Sequence, residues 1–262
     1  MKMKLFEIHK NNKGYSVINC CGIKVKIKSK KHSQQPKSQH KFYSIFGNNN
    51  QIIIVENGFE RTLRYKETID GLNISISGND NLVKLTKPFK FEGAKFIICS
   101  NHSSIIIEKT PRFMWQIKMV GGDNQSFTFG EGSDISYFGE IHLLDDNAAV
   151  SIGKDCMFAG QTSIWASDAH AVYDINTRKV LNKVSPSLKI ADHCWIAQGV
   201  KFTKNASIAK NSVVAGSSVV TKKFTDENVI IAGNPGKIVK NNINWDRCSA
   251  LAMEEKLKNE II

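Results

Sequence analysis

The sequence predicts an all-β fold: a parallel β-helix built partly from hexapeptide repeats, with a protruding loop and a short C-terminal helix. Three observations carry that reading. Apolar residues recur every 22 positions over residues 51–149, then every six over 150–238, and the second period is broken once, by a long polar segment at 165–189. Composition agrees: of 262 residues, 41% are hydrophobic and 23% charged, the balance of a globular chain rather than a disordered or fibrous one.

Residues 1–50 precede the first repeat as a basic N-terminal arm or cap. Residues 1–41 hold eleven Lys and one acid, Glu7, so nearly all of the formal charge of +12 belongs to this stretch. It contains no Arg, the usual reader of base edges. Its aromatics, Phe6 and Tyr15, do not interleave with the Lys run as stacking platforms do. Nucleic acid is therefore not an expected partner. Two readings stay open: a solvated Lys-rich edge, or contact with an anionic polymer or an anionic membrane face, where each Lys contributes about 1 kcal/mol. No run of about 18 apolar residues is present to span a bilayer, and MKMKLFEIHK lacks the apolar core of a secretory signal. Six Cys without a CxxC pair read as reduced thiols rather than a disulfide framework or zinc knuckle. The expected location is cytoplasmic, at most peripheral to the inner face of the membrane.

Over 51–149 the segments QIIIVENGFERTLR, NISISGNDNLVKLT, KFIICSNHSSIIIE and IKMVGGDNQSFTFG align under one another. Three apolar columns result: Ile54, Ile76, Ile98 and Val120; Leu63, Leu85, Ile107 and Phe129; Ile69, Phe91, Phe113 and Ile135. A fifth turn begins at Ile141, with Leu144 and Ile152 extending two columns. Each apolar stretch is short and alternating, which reads as strand. Turn formers such as Gly78-Asn79-Asp80 and Asp145-Asp146-Asn147 separate them. Three short strands per turn, stacked in columns, make a parallel β-helix with an apolar interior.

Downstream, Ile152, Phe158 and Ile164, then Ile190, Ile196, Phe202, Ile208, Val214 and Val220, keep a spacing of six. Small residues often follow them: Gly153, Ala159, Ala191, Ala197, Ala209, Ala215. A tight triangular prism needs one inward aliphatic per face and little bulk at its corners. Three faces of six give 18 residues per turn. Pro235 ends the prism. In the tail, 239–262, Leu251, Met253, Leu257 and Ile261 have helical spacing, so a short amphipathic helix packed on the prism or a neighbour is expected.

The run IADHCWIAQGVKFTKNASIAKNSVVAGSSVVTKKF, followed by IIAGNPGKIVK, resembles the hexapeptide-repeat acyltransferases over residues 150–240. Gly236 departs mildly from that family's terminating Pro-Ala-Lys. Within the family the chain looks most like bacterial O-acetyltransferases of capsular and lipopolysaccharide sugars, those of polysialic acid among them. The resemblance implies left-handed coils, acetyl-CoA as donor, a homotrimer, and active sites in clefts between subunits.

A regular solenoid gains nothing from breaking its period, and long loops on rigid scaffolds often carry function. The insert WASDAHAVYDINTRKVLNKVSPSLK opens on Ser167-Asp168-Ala169-His170. Acyl transfer to a hydroxyl needs a base that titrates near neutrality, which suits histidine. The family places its catalytic histidine at the start of such a loop. His170 is therefore the expected general base, with Asp168 orienting its ring or stabilising the imidazolium. In the expected reaction His170 takes the proton of a sugar hydroxyl and the oxygen attacks the thioester. Corner N–H groups hold the oxyanion, and CoA leaves with the proton, without an acyl-enzyme. Cys156 and Cys194 lack a Cys-His arrangement and are not expected nucleophiles. Trp195, on the first rung after the loop, is expected near His170, as in the resembled polysialic acid enzymes. Trp165 and Tyr173 are expected to line the acceptor groove. The family's pantetheine groove falls on Ala197, Gly199, Ala215 and Gly216, with Lys222, Lys223, Lys237 and Lys240 as candidate phosphate partners. No metal is expected.

Three other readings compete. A γ-type carbonic anhydrase needs three zinc-binding His; here His142, His170 and His193 are spaced 28 and 23 apart, without that family's close pair. A non-catalytic glycan-binding β-helix would leave the loop histidine and the CoA groove without use. Among acyltransferases, a small molecule or nucleotide-sugar amine competes with a surface glycan as acceptor.

Overall fold

In the computed structural model the described residues are 6–10, 15–20, 23–28, 43–64, 67–183 and 187–259, with side chains described from residue 44 onward. Lysines 2, 4, 13, 30, 31, 37 and 41 of the basic arm lie outside them, as do Pro186 and Ile261. The chain divides into two compact units, Met1–His40 and Lys41–Ile262. The first contains an antiparallel sheet of β1 (Phe6–Lys10), β2 (Tyr15–Cys20) and β3 (Ile23–Lys28), with Ile18 opposite Ile8 on one side and Val25 on the other.

The second unit is a parallel β-helix of eight coils. Coil 1 holds β4 (Tyr43–Phe46) and β5 (Gln51–Glu56), with β6 (Phe59–Thr62) folded back antiparallel on β5. Coil 2 holds β7 (Leu72–Ser77), β8 (Leu82–Thr86) and β9 (Phe89–Phe91). Coil 3 holds β10 (Ala94–Cys99), β11 (Ser104–Ile107) and β12 (Thr110–Phe113). Coil 4 holds β13 (Gln116–Val120), β14 (Ser126–Phe129) and β15 (Asp134–Ile135). Coil 5 holds β16 (Gly139–Leu143), β17 (Ala149–Ile152) and β18 (Met157–Phe158). Coil 6 runs β19 (Thr162–Trp165), the loop, β20 (Ser187–Ile190) and β21 (Trp195–Ile196). Coil 7 holds β22 (Lys201–Phe202), β23 (Ser207–Ile208) and β24 (Val213–Val214). Coil 8 holds β25 (Val219–Val220), β26 (Ile230–Ala232) and the antiparallel return β27 (Lys237–Lys240), and α1 (Ala250–Asn259) follows.

Strands stack into three faces: the first from β4 to β25, the second from β5 to β23, and the third from β9 through β26. The six-residue rule resolves into one buried column per face. Ile141, Ile164, Phe202 and Val220 pair up the first face; Ile152, Ile190 and Ile208 the second; Ile135, Phe158, Ile196, Val214 and Ile231 the third. Coils 2–5 are wider and filled by aromatics. Phe113 makes edge contacts with Phe91, Phe96, Trp115, Phe127 and Phe129 at centroid distances of 5.1 to 6.4 Å, a geometry that adds to area burial.

Two of the expected columns are shifted. The first coil begins at Tyr43, not near 51, so Ile45 pairs with Ile76 and Ile54 pairs with Leu85, while the β5–β6 hairpin displaces Leu63 from its column. Further along, Met119 and Leu143 continue the column of Ile76 and Ile98, rather than Val120 and Leu144. Strand side chains alternate, so a one-residue slip turns a residue out of the core; Val120 is exposed.

The corner between the first and second faces is stitched by a side-chain ladder. Asn79, Asn101, Asp123 and Asp146 accept the backbone N–H of Asn48, Asn79, Asn101 and Asp123 at 2.9, 2.9, 2.7 and 2.8 Å. The residue after each rung, from Asn49 through Asp80, His102 and Asn124 to Asn147, has φ between 54° and 59°, a region Asn and Asp tolerate. At the far end, no residue of α1 is buried, and Leu251 and Leu257 are exposed. Ala252 and Met253 are its partly covered residues.

Candidate active site

The loop 166–186 leaves from the ladder corner. Asp168 precedes Ala169, whose φ of 61° repeats the turn at Asn147 and Asn124. Ser167 Oγ donates to Asp145 and accepts the N–H of Ala169 at 2.9 Å. The chain has thus completed a corner before it departs, and His170 is the first residue beyond it. Asn182 comes back to brace this point. Its Nδ2 donates to Asp168 Oδ2 at 2.9 Å and to the His170 carbonyl at 2.7 Å, and its Oδ1 accepts the Val172 N–H at 2.7 Å. Lys204, at the same corner one coil on, ion-pairs with Asp168 and donates to the Asn182 carbonyl at 3.0 Å.

Burial would raise the Asp168 pKa, but the Lys204 ammonium and the Asn182 amide outweigh it and hold the carboxyl below its ordinary range. The Asp168 carboxylate is thus engaged by Lys204 and Asn182, and no contact joins it to the His170 ring among the described residues. It serves the loop anchor. The His170 side chain is exposed and has no hydrogen-bond or ionic partner among the described residues. Its backbone is what the anchor fixes. Tyr173 is exposed on the loop hairpin, where it bridges to Val180 and carries Arg178 over its ring at 5.9 Å. Trp165 closes β19 at the loop's base, half-exposed.

The expected donor residues lie on a different edge. At the corner from the third to the first face, Ala159-Gly160, Ala197-Gln198-Gly199, Ala215-Gly216-Ser217 and Ala232-Gly233 stack coil on coil. The N–H groups of Ala159, Ala197 and Ala215 bond to the carbonyls of Ile196, Val214 and Ile231 at 2.9, 3.0 and 2.9 Å. Gly199 turns with φ 73°, and a Cβ on Gly216 would come within 3.3 Å of the Gln198 carbonyl. The result is a track of backbone and small side chains that a slender amide-bearing chain can follow. Trp195 flanks buried Ile196 on the same outward side as Ala197, with its ring 6.2 Å from Trp245. Within one chain it stands on the third face beside the Trp245–His193 stack, not on the His170 loop. The phosphate candidates divide as well. Lys222 and Lys223 lie on the loop's edge, the Lys222 carbonyl accepting the Ser207 N–H and Lys223 bridging to Ser207. Lys237 opens β27 beside the small-residue corner, and Lys240 closes it. All four are exposed, and among the described residues none is ion-paired.

Sequence reasoning missed Asn182 and Lys204. Neither has a local signal, because their roles arise only when coils 6 and 7 are in register. It also missed the clamp after β27. Arg247 pairs with Asp134 and Asp155, while Trp245 stacks on His193 at 4.5 Å and 15°, and His193 Nδ1 lies 2.7 Å from Asp155. His193 is thus structural, and within the chain the three histidines of the zinc reading do not converge. Cys156 and Cys194 are buried on successive coils, and the Cys194 thiol is pushed up by Cys156 and by burial, which leaves it a poor nucleophile.

The fold and its repeats define a left-handed β-helix of the hexapeptide-repeat type. No protein-family profile matches the chain. Individual relatives do. The polysialic acid O-acetyltransferase of Neisseria meningitidis is 29% identical over 199 residues, covering 73% of this chain and 88% of that protein. The polysialic acid O-acetyltransferase of Escherichia coli O1:K1 / APEC is 32% identical over 107 residues, 41% of this chain. That match spans only 34% of the Escherichia coli protein. Among solved structures, the polySia-specific acetyltransferase NeuO superposes with a TM-score of 0.62 at 22% identity, over 86% of this chain and 100% of that one. The resemblance read from residues 150–240 is borne out by these relatives.

Proposed function

We propose that the protein is an O-acetyltransferase. It moves an acetyl group from acetyl-CoA to a hydroxyl of a bacterial surface glycan, capsular or lipopolysaccharide, with His170 as general base. The site is completed between copies of a cytoplasmic homotrimer. The observation that carries the reading is the separation of two half-sites. His170, Lys222 and Lys223 follow one edge of the prism; Ala197, Gly199, Ala215, Gly216 and Lys237 follow another, with Trp195 on the face that leads to it. A cyclic trimer joins unlike edges of neighbouring copies, so three seams would each unite one set with the other. The names of the relatives, polysialic acid O-acetyltransferases, support the reaction and the acceptor class. A small free sugar is the second reading, favoured by 29% identity over 124 residues to the galactoside O-acetyltransferase of Lactococcus lactis.

The chain's own residues then act as follows. The small-residue corner receives the pantetheine arm of the donor, and lysines from both edges offer cations to its phosphates. Acetyl-CoA, as substrate, supplies the acetyl group as a thioester. His170, held by its backbone and with no competing partner, accepts the proton of the acceptor hydroxyl as the oxygen attacks, and returns it to the departing sulfur. Asn182 and Lys204 keep the ring at a fixed height on the prism.

Complementation tests the reading. His170→Ala spoils one half-site and Ala215→Leu the other, so each variant alone is expected to be inactive. Mixed in trimers they regain about a quarter of the wild-type rate, because random mixing leaves one intact seam in most assemblies. Absence of any recovery in verified mixed trimers places both half-sites in one copy or removes the assignment.

A further inference from the structure

Trp165 stands five residues before His170, next to buried Ile164, and its indole is 38% exposed. Across the parallel pair β16–β19 its register partner is His142. The two rings lie flat on each other, centroids 3.9 Å apart at an interplanar angle of 8°. His142 faces outward between buried Ile141 and Leu143, yet it is only 6% exposed. The indole lid accounts for that. Glu140 lies 2.9 Å from His142 Nε2, off the line of a directed hydrogen bond. The indole N–H donates to Ser163 Oγ at 2.9 Å. Trp165 is thus tied at its edge and backed on one face by His142; on the coil 7 side the Ile164–Phe202 pair brings Thr203 alongside it, and the residue stays 38% exposed.

Burying a polar imidazole beneath a partly exposed aromatic reverses the usual order of burial and costs free energy. What the arrangement secures is a fixed indole plane at the base of the His170 loop. A pyranose ring fits such a plane. Its C–H face stacks on the indole while its hydroxyls stay at the rim, and a pre-set orientation lowers the ordering cost of binding.

We infer that Glu140, His142 and Trp165 form a sugar platform. Trp165 takes one pyranose ring of the acceptor on its exposed indole surface, and His142, backed by Glu140, is a positioning residue that holds the indole plane. The inference rests on the glycan-acceptor reading above.

The full chain is titrated with oligosialic acid and, separately, with methyl β-galactoside, without acetyl-CoA, by tryptophan fluorescence and calorimetry. Trp165→Ala is expected to weaken the binding sugar about tenfold and to raise its KM equally, with kcat and the KM for acetyl-CoA within about twofold of wild type. His142→Ala loses part of that affinity, and His142→Phe, which restores a flat ring behind the indole, regains it. A merely structural role would move the thermal midpoint and not this split. Unchanged sugar affinity in Trp165→Ala overturns the inference. So does loss of the wild-type oligomeric state in that variant, which makes the indole a contact between copies, and so does failure of the wild type to bind either sugar. Sugar binding that depends on Trp165 in a protein that acetylates no glycan keeps the platform and sinks the enzymatic reading. Acetylation with an unchanged acceptor KM in Trp165→Ala sinks the platform alone.

Discussion

Coils 2–5 and coils 6–8 solve the same packing problem in different ways. In the first group strands reach six residues and the interior holds Phe91, Phe96, Phe113, Trp115, Phe127 and Phe129. In the second, β21 to β25 shrink to two residues each, and the columns that fill the faces are aliphatic apart from Phe202. Wide coils bury more apolar area per turn and so hold the prism together. Narrow coils leave backbone and small side chains at their corners, which is where a ligand can approach. Stability and the proposed chemistry would thus be concentrated in successive stretches of one solenoid.

Substitutions in the two regions should separate those properties. The largest effect is expected at Phe113, whose five aromatic neighbours cannot close over an Ala-sized gap. Phe113→Ala should cost about 3–5 kcal/mol in urea unfolding, with turnover per folded molecule preserved; a stable but inactive variant would erase the distinction. His170→Ala should do the reverse, losing at least ~10²-fold in kcat at an unchanged melting temperature, since its ring packs on nothing described. Asn182→Ala lies between. Freed from its three hydrogen bonds, the loop base should exchange amide hydrogens faster over 166–183, and turnover should fall about tenfold. Protection equal to wild type would leave the loop anchored by Lys204 alone. Asn101→Ala removes one ladder rung and should cost about 1 kcal/mol without touching kcat.

The smallest effect is one of pH. The Asp168 carboxyl titrates below its ordinary value in the folded chain. Its contribution to the loop anchor is therefore complete above that ordinary value, about 3.9, and is lost as pH falls through the lower folded value. Loop proteolysis at 166–183 should stay flat from neutrality into mild acid and rise only below that point. A rise already near pH 6 would assign the anchor to another group.

Repetition made the fold legible. Nine hexapeptide positions identified the apolar columns of the short coils without error, because a corner of fixed length permits only one register. The long coils were harder. Their corners vary, so Val120 and Leu144 were read one residue away from the true inward positions, Met119 and Leu143. The candidate site was legible where it is local in sequence, as at Ser167-Asp168-Ala169-His170. Contacts that depend on coil stacking were not. Asp168 looked like a partner for the neighbouring ring, yet it meets Lys204, which lies 36 residues later and one coil on. The His142–Trp165 stack is hidden for the same reason, 23 residues separating two positions that the ladder sets side by side.

The side-chain ladder also fixes the scale of coils 1–5 along the β-helix axis. Neighbouring strands lie about 4.8 Å apart, so each full coil adds one constant increment of height. Excising a complete coil brings equivalent rungs together again, whereas trimming part of one breaks the stitching of every later corner. Length in this protein is therefore a counted quantity, adjustable in whole turns only.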